Sequence, residues 1–213
     1  MIKVFEEFEK HLMEDEKPSI YFNKMIDNAG VFNEYPFTLL SELAKIPQSP
    51  QHHPEGNVWK HTMLVVDNAA KVKDLSEDPR SFMWGALLHD LGKAPTTKNR
   101  KGKITSYDHD KVGAELCREF LEVFTKDSEF INRVIALVRW HMQTLFVIKD
   151  LPFADVKGMS LEISIKEIAL LSECDRLGRG EINEKKIKEE KENIKSFIRK
   201  CEKALLSSNK LHK

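Results

Sequence analysis

His89 and Asp90 place an imidazole and a carboxylate side by side where a strongly apolar segment ends. The preceding residues 82–88 have the sequence FMWGALL, and a Leu-Gly-Lys turn at 91–93 follows directly. An unpaired buried carboxylate is costly, so Asp90 requires a cation, which either a metal ion or Lys93 would supply. The pair is therefore a candidate half of a divalent-metal site.

Four more residues of ligand type accompany this pair: His61, His109, His141 and Asp175. Each lies near the end of a predicted helix or on its apolar side, and the core of a helical bundle is a usual place for a metal site. Imidazole nitrogens and carboxylate oxygens without a thiolate suit manganese, iron, cobalt, nickel or zinc, whereas fewer imidazoles would favour magnesium. We therefore expect one or two divalent ions to bind here.

The six residues divide into two ligand groups. The first ion is assigned to His61, His89, Asp90 and Asp175. His109 and His141 either hold a second ion, with Asp90 as a bridge, or supply a general acid if they bind no metal. Two such cations would lower the pKa of a shared water and neutralise charge on phosphoryl oxygens, which is the chemistry of phosphoester hydrolysis.

Each residue also has a purely structural interpretation. A single histidine in an apolar helix is usually a partly buried, hydrogen-bonded residue. Asp175 ends the apolar segment 168–174 and precedes Arg176 and Arg179, so an ion pair at a helix terminus explains it equally well. Only the combination of six positions favours a metal site over these alternatives.

Nearby basic residues are candidates for binding a substrate phosphate. The ammonium of Lys93 would reach a phosphate beside Asp90, or it would neutralise the dipole at a helix C-terminus. Arg179 is assigned to the substrate phosphate. Arg176 is assigned to a structural ion pair or, like His53, to the wall of the pocket.

The segment 98–103, KNRKGK, concentrates positive charge in a chain whose 34 basic and 34 acidic side chains cancel. Because the whole chain is neutral, only local clusters of this kind would attract a polyanion, and a solvated loop is the simpler interpretation. Aromatic residues are not interleaved with these charges, so we infer no RNA binding from the segment alone.

The apolar residues around these positions recur at helical spacing, and the strict alternation expected of strands is scarce. The chain is therefore predicted to be an all-α helical bundle, with loops before His61 and after Asp90. The predicted helices are 2–13, 19–28, 36–45, 58–75, 79–91, 109–125, 128–142, 161–175 and 183–206.

A length of 213 residues with 41% hydrophobic side chains is sufficient for one domain with a core. We expect this domain over 1–180 and a charged helix over 181–213 that packs on the domain or on a second subunit, which would make a homodimer. No segment resembles a secretory signal or a membrane span, and a cytoplasmic protein is expected. Three widely spaced cysteines predict neither a disulfide framework nor a thiolate zinc site.

The spacing His61…His89-Asp90…Asp175 resembles the H…HD…D signature of the HD-domain metal-dependent phosphohydrolase superfamily, an all-α fold that binds one or two divalent ions. More narrowly, the chain is similar to the HD domain attached to bacterial CCA-adding tRNA nucleotidyltransferases. This resemblance covers residues 18–180. The segments that carry it, in the family's order, are HPEGNVWKHT at 53–62, ALLHDLGK at 86–93, TT at 96–97 and SECDRLGR at 172–179.

The resemblance implies that the four residues of this signature are metal ligands and that Lys93 lies near the substrate phosphate. His109 corresponds to the histidine of the family's Gly-His-Glu-x-x-Gly element, but Asp108 and Asp110 flank it in this chain. The final glycine of the element is retained, and His141 corresponds to a histidine late in the following helix. The second metal group is accordingly matched less closely than the first.

A nucleotidyltransferase head would need a Gly-Ser followed by paired carboxylates on a strand, and nothing before residue 50 has that pattern. The expectation is an HD domain without this head and without CCA addition. By resemblance, it would act as a phosphodiesterase and phosphatase on small nucleotides such as 2′,3′-cyclic phosphates and 2′-nucleotides. An RNA 3′ end is an alternative partner.

Two other functions stay open at this point. A non-catalytic HD module would keep the metal and bind a nucleotide or a protein, although the retention of all six candidate positions argues against it. A hydrolase of deoxynucleotide triphosphates or of signalling nucleotides would use the same core.

Overall fold

The computed structural model describes residues 1–27, 30–180 and 182–210. It consists of helices and one small hairpin, which confirms the all-α prediction. The helices are α1 Ile2–Glu14, α2 Ser19–Asp27, α3 Thr38–Ser41, α4 Val58–Ala70, α5 Pro79–Leu88, α6 Lys93–Thr96, α7 His109–Glu122, α8 Ser128–Trp140, α9 Gln143–Ile148, α10 Val156–Glu162, α11 Ile165–Leu177 and α12 Glu184–Lys210, and the strands are β1 Thr97–Arg100 and β2 Lys103–Ser106. Among the described residues, none of the helices has the length and apolar character needed to cross a bilayer.

Side-chain caps determine where two of the central helices begin. Asn57 accepts a hydrogen bond from the amide of Lys60 at the start of α4, and Asp78 accepts one from the amide of Ser81 at the start of α5. Pro79 lies in the first turn of α5, where its missing amide hydrogen costs nothing. Because the caps satisfy otherwise unpaired amides, they hold each helix start in a defined register.

Helix α5 is the centre of the fold. All its residues from Ser81 to Leu88 are buried, and it packs against α1, α4, α8 and α11. The ring of Trp84 stacks on that of Phe5 with centroids 4.5 Å apart. Full burial of one large apolar side chain stabilises the fold by about 1.5–3 kcal/mol. Because four helices surround α5, His89 and Asp90, which follow it directly, are buried in the interior of the molecule.

The hairpin of β1 and β2 was not predicted. The two strands pair antiparallel across a turn at Lys101 and Gly102, whose φ angles of 52° and 80° are both left-handed. Such a two-residue turn matches the twist of the strands that it joins. None of the strand residues is buried, and the strands lack the alternating apolar residues of a half-buried strand, so the sequence pattern contained no strand signal.

Several helix boundaries also differ from the prediction. The predicted helix 58–75 ends at Ala70 and is followed by a short 3-10 turn at Lys73–Leu75. The predicted helix 36–45 consists of α3 and a 3-10 turn at Glu42–Lys45. The predicted helix 161–175 is divided between two helices, because its first residues belong to the end of α10 and the rest to α11. Ser164 caps the start of α11 by accepting a hydrogen bond from the amide of Glu167. The predicted end of the helix 19–28 lies outside the described residues.

The C-terminal helix α12 packs on the same chain, against α9, α10 and α11. Its apolar residues Ile194, Phe197 and Cys201 are buried. Lys200 donates hydrogen bonds to the carbonyl oxygens of Val147 and Ile148 near the end of α9. A narrow apolar stripe therefore attaches an otherwise charged helix to the domain.

Candidate metal centre

The ends of five helices supply the six predicted ligand residues. His61 lies in the first turns of α4, His89 and Asp90 follow α5, His109 begins α7, His141 follows α8, and Asp175 lies in the last turn of α11. All are buried except Asp175, whose side chain is 14% exposed. Since helix ends are also where short loops begin, this arrangement places polar groups at one point without breaking the helices.

Three residues of the first ligand group, His61, His89 and Asp90, have their ligand atoms close together, and Asp175 contacts His61. Nε2 of His61 lies 3.0 Å from Oδ1 of Asp175 and 3.9 Å from Oδ2 of Asp90. Nε2 of His89 lies 3.2 Å from the same Oδ2 of Asp90. Nε2 of both histidines and Oδ2 of Asp90 are buried and make no hydrogen bond. Buried polar atoms without hydrogen bonds are rare in native proteins, and two imidazole nitrogens that face carboxylate oxygens are an arrangement that a bound cation would satisfy.

Backbone contacts give all four histidines of the cluster the same tautomer. Each Nδ1 lies at hydrogen-bond distance from a carbonyl oxygen: His61 from Gly178 at 3.1 Å, His89 from Ala86 at 2.9 Å, His109 from Ser106 at 2.7 Å and His141 from Val138 at 2.6 Å. A carbonyl oxygen only accepts, so each Nδ1 carries the hydrogen. A neutral ring then has its lone pair on Nε2, which is the form that binds a metal.

The second ligand group has the same character. Nε2 of His109 and Nε2 of His141 lie 3.1 Å apart, and they lie 3.6 and 3.9 Å from Oδ1 of Asp90. Burial lowers the pKa of both histidines, to about 3 for His141, where the neighbouring His109 and His89 lower it further. Both rings are therefore neutral near pH 7. Two lone pairs that face each other repel, and a cation between them would remove the repulsion.

Both aspartates of the cluster are ionised. Burial raises the pKa of Asp90, but the charges of His89 and Lys93 outweigh it and hold the pKa well below its ordinary value. Burial likewise raises the pKa of Asp175, and Arg179 and His61 overcome this effect. Burial lowers the pKa of His61, but its contacts with Asp175 and Glu55 outweigh this effect and raise the pKa to about 8. The cluster therefore combines imidazoles with two negative carboxylates, a donor set that fits a divalent ion once His61 has released its proton.

Lys93 lies beside the cluster. Its ammonium is 2.8 Å from Oδ2 of Asp90 and donates a hydrogen bond of 2.7 Å to Oε1 of Gln48. Lys93 is the first residue of the one-turn helix α6, five residues after α5 ends at Leu88. Gln48 is buried and was missed by the sequence analysis, because its contact with Lys93 joins residues 45 positions apart.

The two arginines that follow Asp175 have different roles. Arg179 places Nη2 3.6 Å from Oδ2 of Asp175, and its Nε is buried without a hydrogen-bond partner. Arg176 instead forms an ion pair of 2.7 Å with Glu190 on α12. This contact corrects the prediction that Arg176 lines the pocket wall and agrees with its structural interpretation.

Glu55 belongs to the site, although the sequence analysis assigned it no role. Its Oε1 lies 2.8 Å from Nδ1 of His53 and 3.0 Å from Nδ1 of His61, and its side chain is 4% exposed. Burial raises its pKa, but the hydrogen bonds from the two histidines outweigh this and lower it to about 2. The rings of His53 and His61 have centroids 4.8 Å apart. The only signal in the sequence was an acidic residue between two histidines of one motif.

The fold and this cluster together define an all-α protein in which buried histidines and Asp90 are grouped so that they could hold a metal ion. The family model of the HD domain matches residues 58–180, and the chain belongs to the HD domain family.

The chain is also similar to curated proteins named "Multifunctional CCA protein". The one from Actinobacillus pleuropneumoniae serotype 5b is 30% identical over 126 residues, which are 59% of this chain and 30% of that protein. Those from Methylococcus capsulatus and Aromatoleum aromaticum are each 32% identical over 139 residues, 65% of this chain and 31% and 32% of the relative. The matched part spans about a third of these relatives, and it confirms the resemblance inferred from the motifs.

Proposed function

We propose that this protein is a metal-dependent phosphohydrolase that cleaves a phosphomonoester or phosphodiester of a nucleotide. The main support for the proposal is that three buried atoms lie close together and make no hydrogen bond: Nε2 of His61, Nε2 of His89 and Oδ2 of Asp90. One or two divalent ions bound at the cluster would polarise the phosphoryl group and lower the pKa of a water molecule.

The protein's own residues bind and orient the substrate in this proposal. His61, His89, Asp90 and Asp175 hold the first ion. The cations of Lys93 and Arg179 lie next to the two aspartates and would neutralise charge on phosphoryl oxygens.

His109 and His141 are assigned to the second ion. A pKa of about 3 makes His141 a neutral ligand near pH 7, whereas a general acid must hold a proton at the working pH. The assignment to a second ion is therefore better supported than the alternative role as acid.

Nucleotides such as 2′,3′-cyclic phosphates and 2′-nucleotides are the proposed substrates, because the motifs resemble the HD domain of CCA-adding enzymes. The protein would be prepared free of metal, loaded with manganese, cobalt, nickel, zinc or magnesium, and assayed on these nucleotides, on aryl phosphate esters and on deoxynucleotide triphosphates. We expect metal-dependent release of phosphate or of a monoester, and the Asp90→Asn variant should lose both metal binding and turnover.

Glu167→Gln is the matched control. Glu167 is also a buried carboxylate, but it accepts hydrogen bonds from Ser76 and from the amide of Glu77, which do not belong to the metal cluster. It should keep both metal and activity. Bound metal without turnover of any phosphoester would replace the proposal by the non-catalytic module. Turnover of triphosphates alone would identify the alternative hydrolase class.

A further inference from the structure

The hairpin between α6 and α7 has one strongly basic face. Cross-strand partners and residues two apart on a strand point to the same side of a sheet. Lys98 pairs with Thr105 and Arg100 pairs with Lys103, so the three cations share one face. All three are exposed, and so is Lys101 at the turn.

The positive charge of the basic face is not neutralised by acidic side chains among the described residues. Arg100 and Lys103 lie directly opposite each other, and like charges in this position destabilise a hairpin. Within the described residues, none of Lys98, Arg100, Lys101 and Lys103 lies in an ion pair, although ion pairs are frequent elsewhere on the surface. An arrangement that costs stability and attracts anions is typical of a binding surface.

The base of the hairpin is attached to the metal centre. The carbonyl oxygen of Ser106, the last residue of β2, contacts Nδ1 of His109 at 2.7 Å. The hydroxyls of Ser106 and Thr97 lie 2.7 Å apart across the two strands, and Thr97 follows the short helix that begins at Lys93. Four residues of strand extend about 13 Å. A ligand with one phosphate at the metal centre therefore needs further phosphates to contact the tip.

An aromatic ring adjoins the basic face. Tyr107 follows β2 and is 63% exposed, and the guanidinium carbon of Arg100 lies 5.1 Å from the centroid of its ring. An exposed aromatic side chain beside cations is a platform on which nucleic-acid bases stack. A mononucleotide is too short to use both the metal centre and this platform, and an acidic peptide has no base to stack.

We propose that the basic face and Tyr107 bind single-stranded nucleic acid, so that its terminal phosphoester is presented to the metal centre. The presentation of a terminal phosphoester rests on the proposed function, whereas binding of the strand does not. The tip contacts the backbone phosphates, and the base of the hairpin leads toward His109.

The test measures binding without turnover. The anisotropy of a fluorescein-labelled twelve-nucleotide oligouridine would be recorded with the full chain between 50 and 300 mM NaCl. The compared variant carries Lys98→Gln, Arg100→Gln and Lys103→Gln. Each phosphate contact of a single strand contributes about 0.7 to the slope of log affinity against log salt, so loss of three contacts should reduce the slope by about 2.

The matched control carries Lys17→Gln, Lys185→Gln and Lys188→Gln, which remove the same charge from exposed lysines elsewhere. Its salt slope should equal that of the wild type. Tyr107→Leu should weaken binding about tenfold with an unchanged slope, because stacking is lost and the phosphate contacts stay.

Three results would overturn the proposal: no binding of the oligouridine by the wild type, an equal slope for the hairpin variant and the control, or equally effective competition by polyglutamate of the same charge. Binding that depends on the hairpin, together with no hydrolysis of any phosphoester, would refute the proposed function and support the strand-binding surface. If the protein hydrolyses mononucleotides but the hairpin variant binds oligouridine as tightly as the wild type, the strand-binding surface is refuted and the proposed function is not.

Discussion

His61 differs from the other three histidines of the cluster in the surroundings of its Nδ1. Nδ1 of His61 faces both the carbonyl oxygen of Gly178 and the carboxylate of Glu55, at 3.1 and 3.0 Å. A carboxylate in this position fixes the orientation of the ring and makes Nε2 a stronger donor to a metal. At the scale of single residues, we therefore expect Glu55 to strengthen His61 as a metal ligand through its contact with Nδ1.

Glu55→Gln should lower the affinity for manganese or zinc by about 10–100-fold, the usual cost of losing such a partner. Titration calorimetry on the metal-free protein would measure the affinity, and thermal unfolding of the same sample would show whether the fold is intact. His53→Gln is the control, because it removes the other partner of Glu55 but keeps the contact with His61. An unchanged affinity in Glu55→Gln would contradict this role.

His141→Ala tests the second ligand group. If two ions bind, the variant should retain one, since His61, His89, Asp90 and Asp175 are unaltered. Elemental analysis after equilibration with excess metal and desalting would give the stoichiometry. Equal metal content in the variant and the wild type would show that His141 is a buried structural histidine.

At the scale of elements, Gly92 joins the two ligand groups. A Cβ at this position would lie 2.0 Å from the carbonyl oxygen of His109 and 2.6 Å from the amide of Gly113. The φ angle of Gly92 is −65°, which any residue can adopt, so the backbone conformation does not require glycine. Glycine is required because the turn after α5 packs closely against the first turn of α7. This contact keeps His109 beside Asp90.

Gly92→Ala should therefore destabilise the protein by about 1–3 kcal/mol, the range expected when extra atoms force backbone shifts in a packed site. Urea denaturation would measure the loss. In contrast, Gly102→Asn should have little effect, because the turn is open and asparagine tolerates a positive φ. If Gly92→Ala were as stable as the wild type, the turn would have to be loosely packed against α7.

At the scale of the whole molecule, α12 is attached to the helix that carries Asp175. Arg176 on α11 and Lys186 on α12 contact the buried carboxylate of Glu190, and Asn193 donates to it at 3.0 Å. Burial raises the pKa of Glu190, but these hydrogen bonds outweigh it and lower the pKa from about 4.5 to about 2. The ionised form of Glu190 is therefore favoured by folding.

A lowered pKa in the folded state means that Glu190 stabilises the protein above about pH 4.5 and loses this effect as the pH falls toward 2. Glu190→Gln should reduce the free energy of unfolding at pH 7 by about 1–3 kcal/mol. The difference from the wild type should shrink between pH 4.5 and 2.5 in urea denaturation. Glu189→Gln, an exposed neighbour, should cost less than about 0.5 kcal/mol. A difference that is constant with pH would contradict this account.

Much of this protein could be predicted from local sequence. The helical spacing of apolar residues predicts the all-α fold because burial of one helix face requires that period. The residue types at 61, 89, 90 and 175 predict a cluster of nitrogen and oxygen donors, since such side chains at the ends of apolar helices need charged partners. The motifs around these residues resemble the HD domain family, to which the chain belongs.

Tertiary structure alone decided which groups meet. The carbonyl oxygen that orients His61 lies 117 residues away, at Gly178, and the register of the hairpin determines that Lys98, Arg100 and Lys103 share one face. Arg176 pairs with Glu190 on the C-terminal helix, a contact that also depends on how two separate helices pack. Periodicity and composition describe a segment's own preference, whereas these contacts depend on how distant segments pack, and packing is settled only when the whole chain folds.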